Sequence, residues 1–210
     1  MNVQLIDSMG SDVSVVNAAR VSFAKEVKHF SDKDEGLLKY LAKHDHWTPF
    51  SQVTYQVRIK APIFVARQWF KHIVGISRNE VSRRYVSDTP EFWSPYEWRL
   101  AAENKKQGSS DEVYPNMDVS LAYQETIRHT EDTYKMMLAK GICPEQARAI
   151  LPQAMMTEWI ETGSLAAAAR IFKLRTEEHA QVEIQKLSYF FGDEVSKIAP
   201  TSWKYLINKT

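Results

Sequence analysis

A basic segment between Arg67 and Tyr85 holds the densest set of side chains that could bind a ligand. Its sequence, RQWFKHIVGISRNEVSRRY, contains five Lys and Arg residues and a single acid, Glu80. Serine hydroxyls and carboxamides lie between the cations. Guanidinium groups offer planar pairs of donors and hydroxyls offer short adaptable ones, a combination that suits a phosphate. The segment therefore indicates an anion site, although a solvated basic face of a helix would have the same composition.

Two further cations are candidates because of their spacing. Arg175 and His179 are four residues apart, so on a helix they would share a face and point two donors at one ligand. An ordinary exposed pair has the same spacing. Arg148 stands four residues before Pro152, where a helix is expected to end, and a cation there is often only a partner of the helix dipole.

The sequence offers little for metal or nucleophilic chemistry. The triplet His44-Asp45-His46 has no strong zinc spacing, HExxH is absent, and Cys143 is the single cysteine. A structural or ligand-contacting histidine is therefore expected, and no metal site. The glycines form neither a P-loop nor a GxGxxG fingerprint, and no GxSxG occurs.

The elements that must position these residues can be predicted from periodicity. Helices are predicted in five stretches: after Ser31 with Asp34 as a capping box, at Tyr123–Leu138 before Gly141, at Pro144–Ile150, after Ser164, and at Ile184–Ile198 before Pro200. Strands are predicted at Val53–Ile59, after Pro152 and at Val3–Ile6. The polar stretch Ala101–Asp118 is expected to be a surface loop. The fold class is therefore α+β with helices dominant.

Composition limits the class of protein. The chain has 210 residues, which favours a single domain over 1–210, and 27 Lys and Arg against 26 Asp and Glu leave a net charge of +1. That balance argues against binding nucleic acid through bulk charge. One cysteine excludes an intrachain disulfide, no apolar run approaches the length of a membrane span, and no signal-like leader opens the sequence. We expect a cytoplasmic protein without a membrane partner.

The basic segment resembles the signature of the flavin-dependent thymidylate synthases, an Arg-His-Arg triplet followed by Ser and by Asn-Glu-x-Ser-x-Arg-Tyr. The corresponding residues are Lys71-His72-Ile73, Ser77 and Asn79–Tyr85, so Lys and Ile replace the two arginines and the spacer is one residue longer. The resemblance extends along nearly the whole chain. Further matching blocks are Asn17–Phe23, His46–Phe50, Ala61–Trp69, Ala147-Arg148 with Leu151-Pro152, and Leu174-Arg175 with His179–Gln181.

The resemblance implies reductive methylation of dUMP to dTMP, with FAD as cofactor and with NADPH and methylenetetrahydrofolate as co-substrates. It also implies a helix-rich α+β domain with a small, mostly antiparallel sheet, assembled as a homotetramer with shared active sites. In this family no cysteine attacks the pyrimidine, which agrees with a chain whose single cysteine lies far from the basic segment in sequence.

The resemblance also assigns site residues. Arg175 is the catalytic candidate, expected to stabilise negative charge on the uracil. The dUMP candidates are Gln68, Lys71, Glu80, Ser82, Arg83, Arg84, Arg148 and Arg175. The FAD candidates are Thr48, Lys71, His72, Ile73, Glu80, Ser164, Arg170 and His179, and His46 is expected near the flavin and folate.

Two other functions stay open at this point. A module binding single-stranded nucleic acid would use residues 67–85 with Trp69, Phe70 and Tyr85 for stacking, although the near-zero net charge counts against it. A metal-dependent hydrolase would need His44, His46 and nearby acids.

Overall fold

The computed structural model of the protein describes residues 1–103 and 108–208. Its elements, in chain order, are β1 (Asn2–Met9), α1 (Asp12–Arg20), α2 (Asp32–Lys43), β2 (Thr54–Pro62), α3 (Ile63–Trp69), β3 (Ile76–Glu80), β4 (Arg99–Ala101), β5 (Ser109–Val113), α4 (Asp118–Ala139), α5 (Pro144–Ala147), β6 (Met156–Ser164), α6 (Leu165–Arg175), α7 (Val182–Val195) and α8 (Pro200–Ile207). Short 3-10 helices lie at Val21–Phe23, Pro49–Gln52 and Arg148–Ile150. The prediction of a helix-rich α+β fold is confirmed.

The strands form two sheets. One has four strands in the order β1-β2-β6-β3, and the other pairs β4 with β5 antiparallel, with Arg99 opposite Val113 and Ala101 opposite Ser109. The expectation of a loop over Ala101–Asp118 is therefore wrong at Ser109–Val113. That strand, SSDEV, has no buried residue and so has no apolar alternation to reveal it. Residues 104–107 of the expected loop lie outside the described residues.

Local signals explain several helix ends. Ser31 precedes α2, and its backbone N–H donates to Asp34 Oδ2 at 2.9 Å in the predicted capping box. Ser164 precedes α6, and its hydroxyl accepts from the N–H of Ala167 at 3.2 Å. Gly141 follows α4 with a φ of +81°, a left-handed conformation that favours glycine.

The C-terminal region contains a helix that the periodicity does not predict. Pro200, taken as the stop of the preceding helix, is instead the first residue of α8, while α7 already ends at Val195. Proline suits the first position of a helix because its missing N–H is not needed there. The Asp12 carboxylate accepts from the N–H groups of Thr201 and Ser202 at 3.0 and 2.7 Å, which caps this helix.

The chain divides into two compact units. The first unit comprises Met1–Ile59, Trp69–Asn79 and Trp159–Thr210, and the second comprises Lys60–Gln68 and Glu80–Glu158. Both are discontinuous in sequence.

The first unit has an aromatic core. The Phe191 ring lies edge-on to Tyr55 and Trp69, with centroid distances of 5.2 and 5.1 Å, and all three side chains are buried. Edge-to-face pairs of this kind add to the free energy gained by burial. Gly192 lets α7 approach α6, because a β-carbon there would lie 2.4 Å from the Phe172 ring. Truncation of Phe191 to Ala is therefore expected to cost about 3–5 kcal/mol of unfolding free energy.

The second unit is built around α4. The Tyr123 ring packs edge-on to Trp98 at 5.2 Å, and the Tyr123 hydroxyl donates to the Trp93 carbonyl. Burial raises the pKa of Tyr123 above its ordinary value. Across residues 1–103 and 108–208, every helix is too short or too polar to cross a membrane.

Candidate functional site

A cavity of about 470 Å³ in the second unit brings together four of the predicted nucleotide-binding residues. Its polar lining includes Glu80, Ser82, Arg83 and Arg148. Its apolar lining is supplied by Ile63, Val81, Ala149, Leu151, Met155 and Met156. Cations and hydroxyls beside apolar walls suit a ligand that carries both a phosphate and a flat, weakly polar ring. This space is called the second-unit cavity below.

A buried threonine fixes the acid of the second-unit cavity. The hydroxyl of Thr157 donates to Glu80 Oε1 at 2.5 Å, and Thr157 lines the same space with only 4% of its surface exposed. This bond holds one carboxylate oxygen and leaves Glu80 acceptor capacity for a ligand. Thr157 is absent from the residues predicted from sequence, because a single threonine in a strand carries no recognisable signal.

The arginines of this region are held by surface acids. Arg83 donates from Nη1 to the carboxylate and the carbonyl of Asp88, both at 2.7 Å. Glu145 meets two arginines: its carboxylate lies 3.3 Å from Arg84 Nε, and its backbone carbonyl accepts from Arg148 Nε at 3.2 Å. The Glu145 and Arg84 side chains are about half exposed, so this pair is weak and can exchange for another anion. Arg84 and Gln68 lie outside the cavity lining.

In the first unit, three guanidinium groups hold the turn at residues 70–75, which connects α3 to β3. Arg78 Nη1 donates to the carbonyl of His72 at 2.5 Å, and Arg170 Nη2 donates to the carbonyl of Val74 at 2.7 Å. Arg175 Nε donates to His72 Nε2 at 2.8 Å. Gly75 has a φ of +74°, which the turn requires. This stretch is called the 70–75 turn below.

His72 is a neutral imidazole in this arrangement. Its Nε2 accepts a hydrogen bond from Arg175, so the ring proton lies on Nδ1. Burial, followed by the positive charges of Arg175, Arg78 and Arg170, lowers the pKa of His72 from 6.5 to about 4. His72 therefore presents an N–H donor at neutral pH and adds no second positive charge beside Arg175.

A fully buried carboxylate, Glu161, is connected to the 70–75 turn through Arg78. It accepts hydrogen bonds from Tyr55 Oη at 2.7 Å, Trp69 Nε1 at 2.8 Å, Arg78 Nε at 2.5 Å and Trp159 Nε1 at 3.3 Å. Burial, and then the charge and hydrogen bond of Glu161, raise the pKa of Tyr55. Neither Arg78 nor Glu161 is among the predicted site residues. One signal could have found Glu161: it occupies a buried register position of the alternating strand β6.

Gly163 makes room for this carboxylate cluster. A β-carbon at position 163 would lie 2.7 Å from Tyr55 Oη and 2.9 Å from the ring of the same residue. Any larger residue would displace the Tyr55 hydroxyl that donates to Glu161. A glycine in the middle of a strand, which usually weakens it, is explained here by the approach of that ring.

A second cavity, of about 810 Å³, lies in the first unit and contains His46 and Thr48. Its lining is largely apolar and aromatic, with Phe23 and Tyr40 among its residues, and the Tyr40 ring lies edge-on to His46 at 5.9 Å. Such a lining suits a planar ring system. This space is called the first-unit cavity below.

The remaining predicted residues lie as follows. Lys71 and Ile73 are exposed in the 70–75 turn, and the Ser164 hydroxyl is engaged in capping α6. The prediction that Arg175 and His179 share a helix face is wrong: α6 ends at Arg175, and His179 lies exposed in the turn that follows. The Thr176 hydroxyl donates to the Phe172 carbonyl, a local bond that competes with continuing the helix.

The basic segment is not one helix face. α3 ends at Trp69, β3 begins at Ile76, and the chain is irregular beyond Glu80, so the five cations lie on different elements. Trp69 has no exposed surface and donates to Glu161, which removes it as a stacking platform for nucleic acid. A search of the part of the chain that the structure describes finds no cluster of three or more His, Cys, Asp or Glu residues placed to hold a metal ion.

Comparison with known proteins points to one family. Residues 4–201 match the family described as thymidylate synthase complementing protein (Thy1). The chain is 38% identical over 187 residues to a protein of Thermosipho africanus named flavin-dependent thymidylate synthase, covering 88% of this chain and 81% of that one. A protein of the same name from Thermus thermophilus is 35% identical over 201 residues, covering 96% and 73% of the two chains.

Two solved structures have folds similar to that of this chain. The chain is similar to the UMP/dUMP methylase PolB of Streptomyces cacaoi bound with 5-Br dUMP, with a TM-score of 0.84, 28% identity, and coverage of 97% of this chain and 93% of that one. The same methylase bound with 5-Br UMP matches with a TM-score of 0.82, 26% identity, and coverage of 97% and 92%.

Proposed function

Because the chain belongs to the thymidylate synthase complementing protein family, we propose that it is a flavin-dependent thymidylate synthase. It methylates dUMP reductively to dTMP, with methylenetetrahydrofolate as carbon donor and NADPH as reductant through FAD. The observation that carries this proposal is the second-unit cavity, where Glu80, Ser82, Arg83 and Arg148 converge beside apolar walls.

The second-unit cavity supplies the groups that dUMP needs. Arg148 lines the cavity and Arg84 lies just outside its lining, and both offer cationic donors for the phosphate or the pyrimidine. Arg84 is paired with the Glu145 carboxylate, which a phosphate can replace, whereas Arg148 donates to the Glu145 backbone carbonyl. Arg83 and Ser82 add donors, and Glu80 accepts from ligand hydroxyl or N–H groups. Gln68 and Lys71 complete the proposed nucleotide set. Ser82 acts as a hydrogen-bonding group, since no base that could activate it as a nucleophile is identified.

The 70–75 turn fits an anionic, ring-containing cofactor such as FAD. Arg170 provides positive charge, and His72 Nδ1 provides a neutral donor. Ile73 and Val74 are 71% and 67% exposed, so they offer an apolar surface to a ring. A β-carbon at Gly75 would have Ser164 Oγ and Ala167 Cβ at 3.9 and 3.8 Å, so the backbone here is open to a ligand. Bound FAD would supply the redox chemistry.

Further cofactor contacts are proposed in both units. Thr48 and His46 would contact the flavin or folate from the first-unit cavity, and Lys71, Ser164, His179 and Glu80 complete the FAD set. The aromatic lining of that cavity supports this assignment, because flavin and pterin rings are flat and largely apolar on their faces.

Arg175 is assigned the catalytic role. Its guanidinium is oriented by His72 at 2.8 Å, and the imidazole is neutral. Burial lowers the pKa of Arg175, yet an arginine stays protonated at neutral pH. A fixed charge of this kind stabilises negative charge that develops on the pyrimidine during methyl transfer, without reorganisation at the moment of reaction.

The wider assembly is also part of the proposal. The chain acts as a single catalytic domain in a cytoplasmic homotetramer with shared active sites. Exposed apolar side chains such as Met117 and Leu121, 72% and 61% exposed on and beside α4, support association with further copies.

The test is direct. Purified protein incubated with FAD is expected to carry flavin absorbance and to convert dUMP to dTMP only when methylenetetrahydrofolate and NADPH are both present. Absence of flavin absorbance together with absence of NADPH oxidation would contradict the proposal.

A further inference from the structure

The pair formed by Arg78 and Glu161 has no role in the function proposed above. Its two charges lie 2.5 Å apart, with side-chain exposures of 13% and 0%. A buried ion pair is often no more stabilising than apolar residues of the same volume, because desolvation of both charges offsets their attraction. The pair therefore calls for an explanation other than stability.

Arg78 connects the buried carboxylate to the 70–75 turn. Its Nε donates to Glu161, its Nη1 donates to the carbonyl of His72, and its guanidinium lies over the Phe70 ring at 5.3 Å from the centroid. The planar fork fixes both bonds in one geometry. Arg78 thus links the buried Glu161 to the His72 backbone.

Glu161 is itself held rigidly. Tyr55, Trp69 and Trp159 donate to it from three side chains that are at most 1% exposed. Nη2 of Arg78, in contrast, is buried and has no hydrogen-bond partner among the described residues. A buried donor without a hydrogen-bond partner lowers the free energy of unfolding. The position of Arg78 is therefore not the one that would make the fold most stable, which indicates that another requirement fixes it.

We propose that Glu161 and Arg78 form a positioning pair that holds His72 and the 70–75 turn in the geometry that binds the flavin cofactor. The proposal rests on the proposed function, since it requires that the turn bind FAD. Arg78 acts through the His72 backbone and the shape of the turn, and neither member of the pair is a catalytic residue.

The pKa of His72 provides a measurement that distinguishes a positioning role of Arg78 from a purely structural one. The charged groups that lower the pKa of His72 are Arg175, Arg78 and Arg170. Replacing Arg78 by Met removes one of these charges together with the bond to the His72 carbonyl. Replacing it by Lys keeps the charge and loses the fork.

The experiment is an equilibrium titration of FAD across a range of pH, with the melting temperature of each variant measured beside it. For Arg78→Met we expect the FAD dissociation constant to rise about 10-fold or more, as for the loss of a charge-assisted hydrogen bond. We also expect the pH midpoint of FAD affinity to move upward. Arg78→Lys is expected to keep the wild-type midpoint with a smaller loss of affinity.

Two further variants keep the test decisive. If Arg78→Met does not fold because Glu161 is left unpaired, the double variant Arg78→Met with Glu161→Gln leaves no lone buried charge and carries the same test. Asp12→Asn is the matched control: it removes a carboxylate that caps α8 in the same unit and is expected to lower the melting temperature without changing FAD affinity or its midpoint.

The outcomes separate the two proposals. Wild-type affinity and midpoint in the Arg78 variants, with wild-type protein binding FAD, would overturn the positioning pair alone. An equal loss of FAD affinity in Asp12→Asn would also overturn it, because the effect would then follow stability. Failure of the wild-type protein to bind FAD would overturn the proposed function and the pair with it.

Discussion

The cations of the second unit at and beside the second-unit cavity and those around the 70–75 turn have different partners. Arg83 and Arg84 are paired with the exposed carboxylates of Asp88 and Glu145. Arg170 donates to a backbone carbonyl and Arg175 to a neutral imidazole, and Glu161, the carboxylate that Arg78 links to the turn, is fully buried.

This difference separates exchangeable charge from fixed charge. An exposed ion pair contributes about 0–1 kcal/mol and is readily replaced by a ligand phosphate. A guanidinium that donates to a backbone carbonyl or to a neutral imidazole is oriented before any ligand arrives. The second-unit cavity is therefore suited to a substrate that binds and leaves in each cycle, and the 70–75 turn to a resident cofactor and to catalysis.

The largest effect is expected at the fixed charge. Arg175→Ala should lower turnover by about 10²- to 10³-fold or more, because it removes preorganised electrostatic stabilisation, while FAD remains bound. Steady-state turnover and flavin absorbance measure the two parts. Arg128→Ala, an exposed arginine on α4, is the matched control and should change neither. Loss of FAD with turnover retained would reverse the assignment of Arg175.

The next effect is expected at Arg148, which lines the second-unit cavity. Arg148→Ala should raise the KM for dUMP about 10- to 100-fold, because a hydrogen bond between charged groups is lost, with flavin content unchanged. Initial rates over a range of dUMP concentrations measure it. Arg148→Lys should recover part of the loss, since lysine keeps the charge without the fork. An unchanged KM in Arg148→Ala would remove this residue from the site.

A smaller effect is expected at Lys71, which is exposed in the 70–75 turn. Lys71→Ala should weaken binding of dUMP or FAD about 2- to 5-fold, as for an exposed charge pair. The ligand whose affinity falls shows whether Lys71 contacts the substrate or the cofactor. Unchanged affinity for both would remove it from the site.

The last prediction concerns stability and pH. The folded pKa of His72, about 4, lies below its ordinary value of 6.5, so the unfolded chain binds the proton more tightly. The contribution of His72 to stability is therefore complete above pH 6.5 and is lost as the pH falls toward 4. The difference in unfolding free energy between wild type and His72→Gln, from denaturant titrations, should shrink over that range. A difference that does not vary with pH would contradict the lowered pKa.

Sequence reasoning was most successful where the signal is local. The capping box at Ser31 and Asp34, the alternation in β2 and the cap at Ser164 depend on residues within a few positions of each other, and each predicts its element correctly. α8 and β5 were missed because proline is compatible with both ends of a helix and because SSDEV has no apolar face.

The same contrast between local and distant signals applies to the residues of the site. Motif residues such as Glu80, Ser82 and Arg148 were predicted and meet in one cavity. The residues that hold the site in place were not predicted. Thr157, which donates to Glu80, is 77 positions away from it in sequence, and Glu161 is 83 positions from Arg78. Such pairings depend on strand register, which a single sequence does not determine.

One measurement tests the central claim most directly: the visible absorption spectrum of the purified protein, loaded with FAD and titrated with dUMP. The account predicts a protein-bound flavin spectrum that changes saturably as dUMP binds, and a weaker response in Arg148→Ala. A protein that retains no flavin, or a flavin spectrum that dUMP leaves unchanged at every concentration, would contradict it.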